Sequence, residues 1–359
     1  AAMENTPLWQ NRETWKKEAG PFKKRGVGVS AVYNAMGYGR GLPDSAIAKI
    51  EITPEGKIRV YNGVVDMGQG NATAFVQIAG QVLCQENTDI ELIQPDTDRT
   101  LPSGSASAGR TTYTYGNALI KAAEELKRKI LGRAALMLLA DTLENLELLP
   151  GRVRDLQSGR ELPVSMIAAM MTAEDRICSS QFLMPVARDK LDTGKDFVIG
   201  FPHLIFSYAA HLAAIEVDEL TGAIDVTSYA AATEAGHVLN PQTFAQQAQG
   251  GIAQGIGYAL YEDVMTDQGH LLTPDFTTYH IPGAKDVPDI DSQMVESWEP
   301  SGPYGMKGMG EVNANGPLPA IAGALSDACG IRITRSPLTP QRVLSALAGK
   351  PSRREGDRT

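Results

Sequence analysis

The chain has 359 residues, 43% of them hydrophobic and 21% charged, with a formal net charge of −9. That is the make-up of a folded globular protein with one large or two ordinary domains. Basic residues cluster only at Lys16-Lys17, Lys23 to Arg25 and Arg353-Arg354, and no apolar run approaches the roughly 18 to 20 residues of a membrane span, so neither nucleic acid nor a membrane is an expected partner.

Residues 1–25 carry Trp9, Trp15 and a basic cluster and read as an arm or short helix that packs on something else. Gly26 to Tyr33 alternates as a strand does, and the glycine-rich Gly37 to Pro43 that follows reads as a plain loop, since Pro43 and the lack of a following helix do not suit a nucleotide fingerprint. In Ala48 to Gly70, Ile50 and Ile52, a Pro54–Gly56 turn, then Ile58 and Val60 make a β-hairpin. A third extended piece is expected at Val64-Val65, then Met67-Gly68-Gln69-Gly70, then a helix with Phe75, Val76, Ala79 and Leu83 on its apolar face.

Ser103 to Gly109 is a row of small residues leading into a helix that should run to about Leu139, with Ala134 to Ala140 as a helical core segment. Unobstructed N–H groups at a helix start favour an anion, typically phosphate, over the competing reading of a flexible linker. A helix is expected at Pro163 to Thr172 and an extended piece near Phe197 to Ile199. Ala213 to Gly236 then repeats the hairpin plan: Ile215 and Val217 stand for Ile50 and Ile52, and Ile224 and Val226 for Ile58 and Val60. A helix opens at Asn240-Pro241, a good cap and first-turn pair, and carries Gln246, Gln247, Gln249 and Gln254. Two such copies argue for a duplicated α+β unit in which each copy sends a loop and helix start to a shared site. The expected division is an arm (1–25), a first subdomain (26–200), a second (201–348) and a mobile tail (349–359) that follows a last helix from Thr339-Pro340 to Leu347.

Ser301 to Leu318, SGPYGMKGMGEVNANGPL, mounts a single carboxylate, Glu311, among glycines just ahead of a helix that Pro317 opens. Glycines suit a chain that must pass close to something, while a solvated Glu in a surface loop is the competing reading. Cys84, Cys178 and Cys329 are too dispersed for an iron–sulfur or zinc site, and so sparse a set favours a reducing, cytoplasmic compartment. The five histidines show no metal-binding spacing, so no metal ligands are expected from this chain's side chains. The opening AAMENTPLWQ has no secretory apolar core.

Four motifs stand in order: MGQG at Met67 to Gly70, the small-residue loop with Gly109-Arg110-Thr111, QAQGGIAQGIG at Gln247 to Gly257, and KGMGE at Lys307 to Glu311. Together, over roughly Gly26 to Leu347, they resemble the molybdenum hydroxylases of the xanthine oxidase and aldehyde oxidase family. The likeness is to the C-terminal half of the molybdopterin-binding large subunit, with duplicated hairpin and helix units forming its second molybdopterin-binding domain. The resemblance implies a molybdenum–molybdopterin cofactor held by Gly68, Gln69, Gly70, Ala108, Gly109, Arg110, Thr111 and Thr112, contacted also by Gln247 and Gly310, with Glu311 as the active-site base. It implies hydroxylation of an electrophilic carbon, such as that of a purine or nicotinate-like heteroaromatic, with water as the oxygen source. Arg110 would suit the extra phosphate of the cytosine dinucleotide form. The family's GGxFG-type loop is not found, so a partner polypeptide with the other half is implied, as in nicotinate dehydrogenase or a divided xanthine dehydrogenase, with [2Fe-2S] and FAD on further subunits. An aldehyde oxidoreductase, a carbon monoxide dehydrogenase-like subunit and a non-catalytic cofactor-binding subunit are the competing readings.

Overall fold

A computed structural model describes residues 3–39, 41–186 and 203–349. The extended piece expected near Phe197 to Ile199 and the tail from 350 onward lie outside the described residues. The chain opens with α1 (Pro7–Lys17), β1 (Lys23–Ala35), the hairpin β2 (Ser45–Ile52) and β3 (Ile58–Tyr61), α2 (Asn71–Leu83), β4 (Ile90–Ile93) and the long α3 (Thr111–Leu138). Short elements follow: β5 (Leu146–Leu149), β6 (Arg152–Asp155), β7 (Glu161–Pro163), α4 (Val164–Ala169) and β8 (Ile177–Leu183). Then come the second hairpin β9 (Phe206–Asp218) and β10 (Ile224–Glu234), α5 (Pro241–Leu260), the small ribbon β11 (Thr266–Asp267) and β12 (His270–Leu271), and β13 (Ile290–Val295). The described chain closes with α6 (Val312–Asn315), α7 (Pro317–Cys329) and α8 (Pro340–Leu347).

These elements form two compact units, one of Ala1–Asn34, Ser207–Ser297 and Met309–Thr359, the other of Ala35–Phe206 and Trp298–Gly308. The division differs from the expected boundaries: the first strand belongs with the later sheet, and 298–308 belong with the earlier one. We refer to them as the base unit, because it carries Glu311, and the cradle unit, because it carries the small-residue loop.

The fold is α+β, and the duplication expected from the two hairpins is present as repeated topology. In the cradle unit the sheet order is β4-β3-β2-β8, and in the base unit β1-β9-β10-β13. In each, an antiparallel hairpin sits in the middle, a helix crosses over, and the next strand pairs parallel to the second hairpin strand: β3 with β4 through α2, β10 with β13 through α5. Parallel neighbours need such a crossover, because a tight turn can join only antiparallel strands.

Within the cradle unit, Ile50, Ile52, Ile58 and Val60 bury on the hairpin while Phe75 and Ile78 of α2 and Tyr115, Leu119 and Leu126 of α3 form the helical side of the core. Phe75 and Tyr115 rings lie 4.4 Å apart, and each such buried side chain contributes about 1.5–3 kcal/mol. In the base unit Ile215, Val217, Ile224 and Tyr229 pack with Ile252 and Ile256 of α5 and Ala320, Ile321 and Leu325 of α7. The N-terminal arm is α1, capped by Thr6, and its Leu8, Trp9 and Trp15 lie against Val27, Leu212, Ala230 and Ala232 of the same unit.

Three expectations need correction. Val64-Val65 is not a strand: the Asn62 side chain accepts from Val64 N–H and donates to Val64 O, both at 2.8 Å, so that backbone has no need of a sheet neighbour. Ala134 to Ala140 is core on one face only: α3 ends at Leu138, with Ala134 and Leu138 buried and Leu136 and the cap residue Leu139 exposed. The helix expected over Pro163 to Thr172 is only the short α4, and the sheet β5-β6-β7 beside it was not foreseen.

Candidate cofactor and catalytic site

The cradle unit builds the small-residue loop on a buried ion pair. Ala108 and Gly109 both adopt left-handed backbone, φ 51° and 60°, immediately before α3, and no side chain caps the helix start at Arg110. The first-turn N–H groups and the helix dipole therefore favour an anion there. Thr111 and Thr112 occupy the first two helical positions, half-buried, and the hydroxyls of Ser105 and Ser107 on the loop meet that of Tyr38 from the glycine-rich loop after β1. Arg110 itself points inward. It is 1% exposed and its guanidinium bonds the Asp44 carboxylate, Ser45 O at 2.6 Å and Ser105 O at 3.1 Å, while the other Asp44 oxygen accepts from Tyr38 N–H at 2.8 Å. The expectation that Arg110 offers itself to a phosphate is corrected on this geometry: it fixes the loop from beneath.

The Met67 to Gly70 loop is organised by a residue that pattern reading passed over. Asp66 accepts from Gly68 N–H at 2.8 Å, Gly70 N–H at 3.3 Å and Ala72 N–H at 3.0 Å, serving as the cap of α2. Burial pushes the Asp66 carboxyl up, but these three backbone donors together outweigh it and hold it below the ordinary value. Gln69 folds back, its Oε1 accepting from Met67 N–H at 2.6 Å and its Nε2 donating to Val65 O at 3.2 Å. Gly68, with φ 109°, presents a bare Cα to open space.

Residues 298–308 complete the cradle unit and bring two of the motifs together. A Cβ added at Gly308 would sit 1.7 Å from Gly109 O, so the Lys307-Gly308 segment and the anion loop touch backbone to backbone. Lys307 Nζ donates to Phe206 O at 2.7 Å, and Tyr113 OH donates to Ser301 Oγ at 2.7 Å.

From Met309 the same stretch belongs to the base unit. Glu311 is the N-cap position of α6 and is exposed. Asn34 Nδ2, on β1, donates to Glu311 Oε2 at 2.9 Å, and Gln247 Nε2, on α5, donates to the carbonyl of Gly310 at 3.2 Å. The glycines of QAQGGIAQGIG explain how α5 comes so near: a Cβ at Gly255 would lie 2.5 Å from Pro317 Cγ and 2.8 Å from Ala314 O. Asn313 of α6 and His211 of β9 are buried, and the Tyr229 hydroxyl lies 3.0 Å from His211 Nδ1. Burial pushes His211 down to about 4.

The predicted residues thus fall into two sets: Gly68 to Gly70 and Ala108 to Thr112 in the cradle unit, Gln247, Gly310 and Glu311 in the base unit. Asn34, Asp44 and His211 were missed because each acts across a sequence gap that no local pattern spans, whereas Asp66 bonds within six residues, and an acid just ahead of glycines and a helix start is a signal that could have found it. The features present fit an anionic pterin cofactor: an uncapped start of a long helix, successive left-handed residues ahead of it, and a bare Cα at Gly68 facing open space. Among the described residues, no helix is long and apolar enough to cross a membrane.

Residues 2–288 match the family model of the molybdopterin cofactor-binding domain. The chain is 32% identical over 317 residues to a protein of Escherichia coli (strain K12) named "Probable hypoxanthine oxidase", covering 86% of this chain and 31% of that one. It is 31% identical over 353 residues to the 6-hydroxypseudooxynicotine dehydrogenase complex subunit gamma of Paenarthrobacter nicotinovorans, covering 97% and 43% respectively. Among solved structures, quinoline 2-oxidoreductase from Pseudomonas putida 86 superposes with a TM-score of 0.81 at 26% identity, over 98% of this chain and 45% of that chain. The chain therefore spans less than half the length of these relatives.

Proposed function

The chain belongs to the molybdopterin cofactor-binding domain family, and from that premise we propose that it is the catalytic molybdopterin-binding portion of a molybdenum hydroxylase, with Glu311 as its base. The observation that carries the reading is the mounting of Glu311: an exposed carboxylate at the start of α6, bonded by Asn34 and set on a loop that Gln247 holds at Gly310. When bound, the cofactor would supply the two-electron redox chemistry and the activation of water that hydroxylation of an electrophilic carbon requires. The chain's own residues do the rest. The loops at Gly68 to Gly70 and Ala108 to Thr112, with Gln247 and Gly310, bind and orient the group, and Glu311 accepts a proton at its carboxylate.

The substrate class we propose is an N-heteroaromatic compound. Hypoxanthine, 6-hydroxypseudooxynicotine and quinoline, the compounds in the names of the relatives above, all contain such a ring. The rest of the active site comes from polypeptide equivalent to the relatives' remaining length, and [2Fe-2S] and FAD subunits take the electrons in the cytoplasm; the complex-subunit name of one relative supports a multi-subunit assembly. We propose the cytosine dinucleotide form of the pterin, with its extra phosphate at the amides of the α3 start and the neighbouring hydroxyls, not at the Arg110 guanidinium.

Glu311→Gln tests the reading in the assembled complex. We expect molybdenum and pterin content to stay at the wild-type level while turnover of the heteroaromatic substrate falls by at least about 100-fold, the scale of a lost general base. Unchanged turnover per molybdenum would refute Glu311 as the base and favour a non-catalytic cofactor-binding role.

A further inference from the structure

Glu311 begins a helix of only four residues, Val312–Asn315, and so short a turn cannot hold its own direction through backbone hydrogen bonds. Something else must aim it. Two residues after Glu311, Asn313 is 1% exposed, and its Oδ1 accepts from the hydroxyl of Thr233 at 2.7 Å. Thr233 is itself fully buried, at the C-terminal end of β10, and the bond joins the end of that interior strand to the middle of the turn. At the outer side Asn34, on β1, donates to Glu311 Oε2 and accepts from Asn315 Nδ2 at 3.3 Å, so both ends of the turn are tied to one amide.

A purely structural site would be better served by apolar packing. Among the described residues Asn313 Nδ2, itself buried, has no partner, a loss of about 1–3 kcal/mol that a Val–Leu contact in the same place would avoid. The polar bond is directional where an apolar contact is not, and the group it directs is the carboxylate two residues away. We propose that Thr233, acting through Asn313, and Asn34, acting directly on the carboxylate, are positioning residues that set where Glu311 points. This rests on the reading of Glu311 as the base.

The test uses the assembled, molybdenum-loaded complex. Thr233→Val keeps the shape and removes the donor, and Thr233→Ser keeps the donor. We expect Thr233→Val to lower kcat about 10- to 100-fold, the scale of an ångström-size misplacement, with KM and the molybdenum and pterin content unchanged. A crystal structure of that variant should show the Glu311 carboxylate displaced, and Thr233→Ser should stay within about threefold of wild type. Asn34→Ala, at a half-buried position, should lower kcat in the same way and keeps the test alive if Thr233→Val does not fold. Wild-type kcat in both Thr233→Val and Asn34→Ala would overturn the proposal. So would losses of turnover that track cofactor content, or an undisplaced carboxylate in Thr233→Val. Full turnover in Glu311→Gln would instead strike the base assignment, leaving the displacement seen in the crystal to judge the positioning.

Discussion

Replacing Gly308 with alanine adds one methyl group at the place where the Lys307-Gly308 segment lies on the anion loop. That Cβ would meet Gly109 O at 1.7 Å, Gly109 C at 2.7 Å and Met36 Sδ at 3.2 Å. Raising the shortest of these to 3.0 Å requires the two segments to part by 1.3 Å. Neither can give easily. The methyl's nearest neighbour is main chain, and Gly109 is flanked by Arg110, whose guanidinium is locked onto Asp44, Ser45 and Ser105. The cost should lie at the upper end of overpacking, about 3 kcal/mol, which in a unit of this size lowers the melting temperature by roughly 6–12 °C. The displaced loop should also bind its anion less well, so molybdenum and pterin content should fall. Gly132 provides the contrast, since it lies within α3 with open space around its Cα. Alanine there should stabilise by about 0.5–1 kcal/mol through helix propensity and leave the cofactor in place. Thermal unfolding and metal analysis of the two variants check both signs. A Gly308→Ala protein that melts with the wild type and carries a full complement of cofactor would refute the claim that this contact shapes the site.

Two further outcomes follow from buried groups. His211 protonates near 6.5 in the unfolded chain and, pushed down by burial, at about 4 in the folded one. Between those values the unfolded state binds more protons, so stability should fall as pH drops from about 6.5 to 4, by roughly 3 kcal/mol in all. Urea unfolding across that window should show a slope that His211→Phe reduces; an equal slope in both proteins would contradict it. The Asp44–Arg110 pair, with side chains 2% and 1% exposed, should cost about 3–5 kcal/mol when either partner is removed alone. Asp44→Leu combined with Arg110→Met should recover much of that loss, and strict additivity of the two single changes in denaturant titrations would argue against the pairing.

Much of the fold was readable because alternation and caps are local. The hairpins at Ile50 to Val60 and Ile215 to Val226, and the Asn240-Pro241 start of α5, announce themselves within a dozen residues, and the repeat between them foretold a shared topology. What was hidden depends on partners distant in sequence. Val64-Val65 is apolar enough for a strand, but Asn62 satisfies its backbone and β4, almost thirty residues on, takes the place beside β3. Arg110 has the right neighbours for a phosphate ligand until Asp44 is found beneath it. The strands β5 and β6 do alternate, Leu146-Glu147-Leu148 and Arg152-Val153-Arg154, but four residues each are too few to stand out from chance. The glycines around Glu311 marked it as a candidate, whereas nothing local marked Asn34, 277 positions earlier, as its hydrogen-bond donor.

Neither unit is continuous in the chain, and this has a consequence for synthesis. The cradle unit takes most of its mass from Ala35–Phe206 but needs Trp298–Gly308, and the base unit joins Ala1–Asn34 to segments that begin at Ser207. A ribosome making this polypeptide from its N-terminus cannot release a finished first unit to fold while the second is still being built. Residue 308 completes one, and the helices after 309 complete the other, almost together. The nascent chain must therefore keep β1 unpaired, with Val27 still uncovered, until β9, which starts at Phe206, has been made. That interval is when a chaperone would bind and when aggregation would begin.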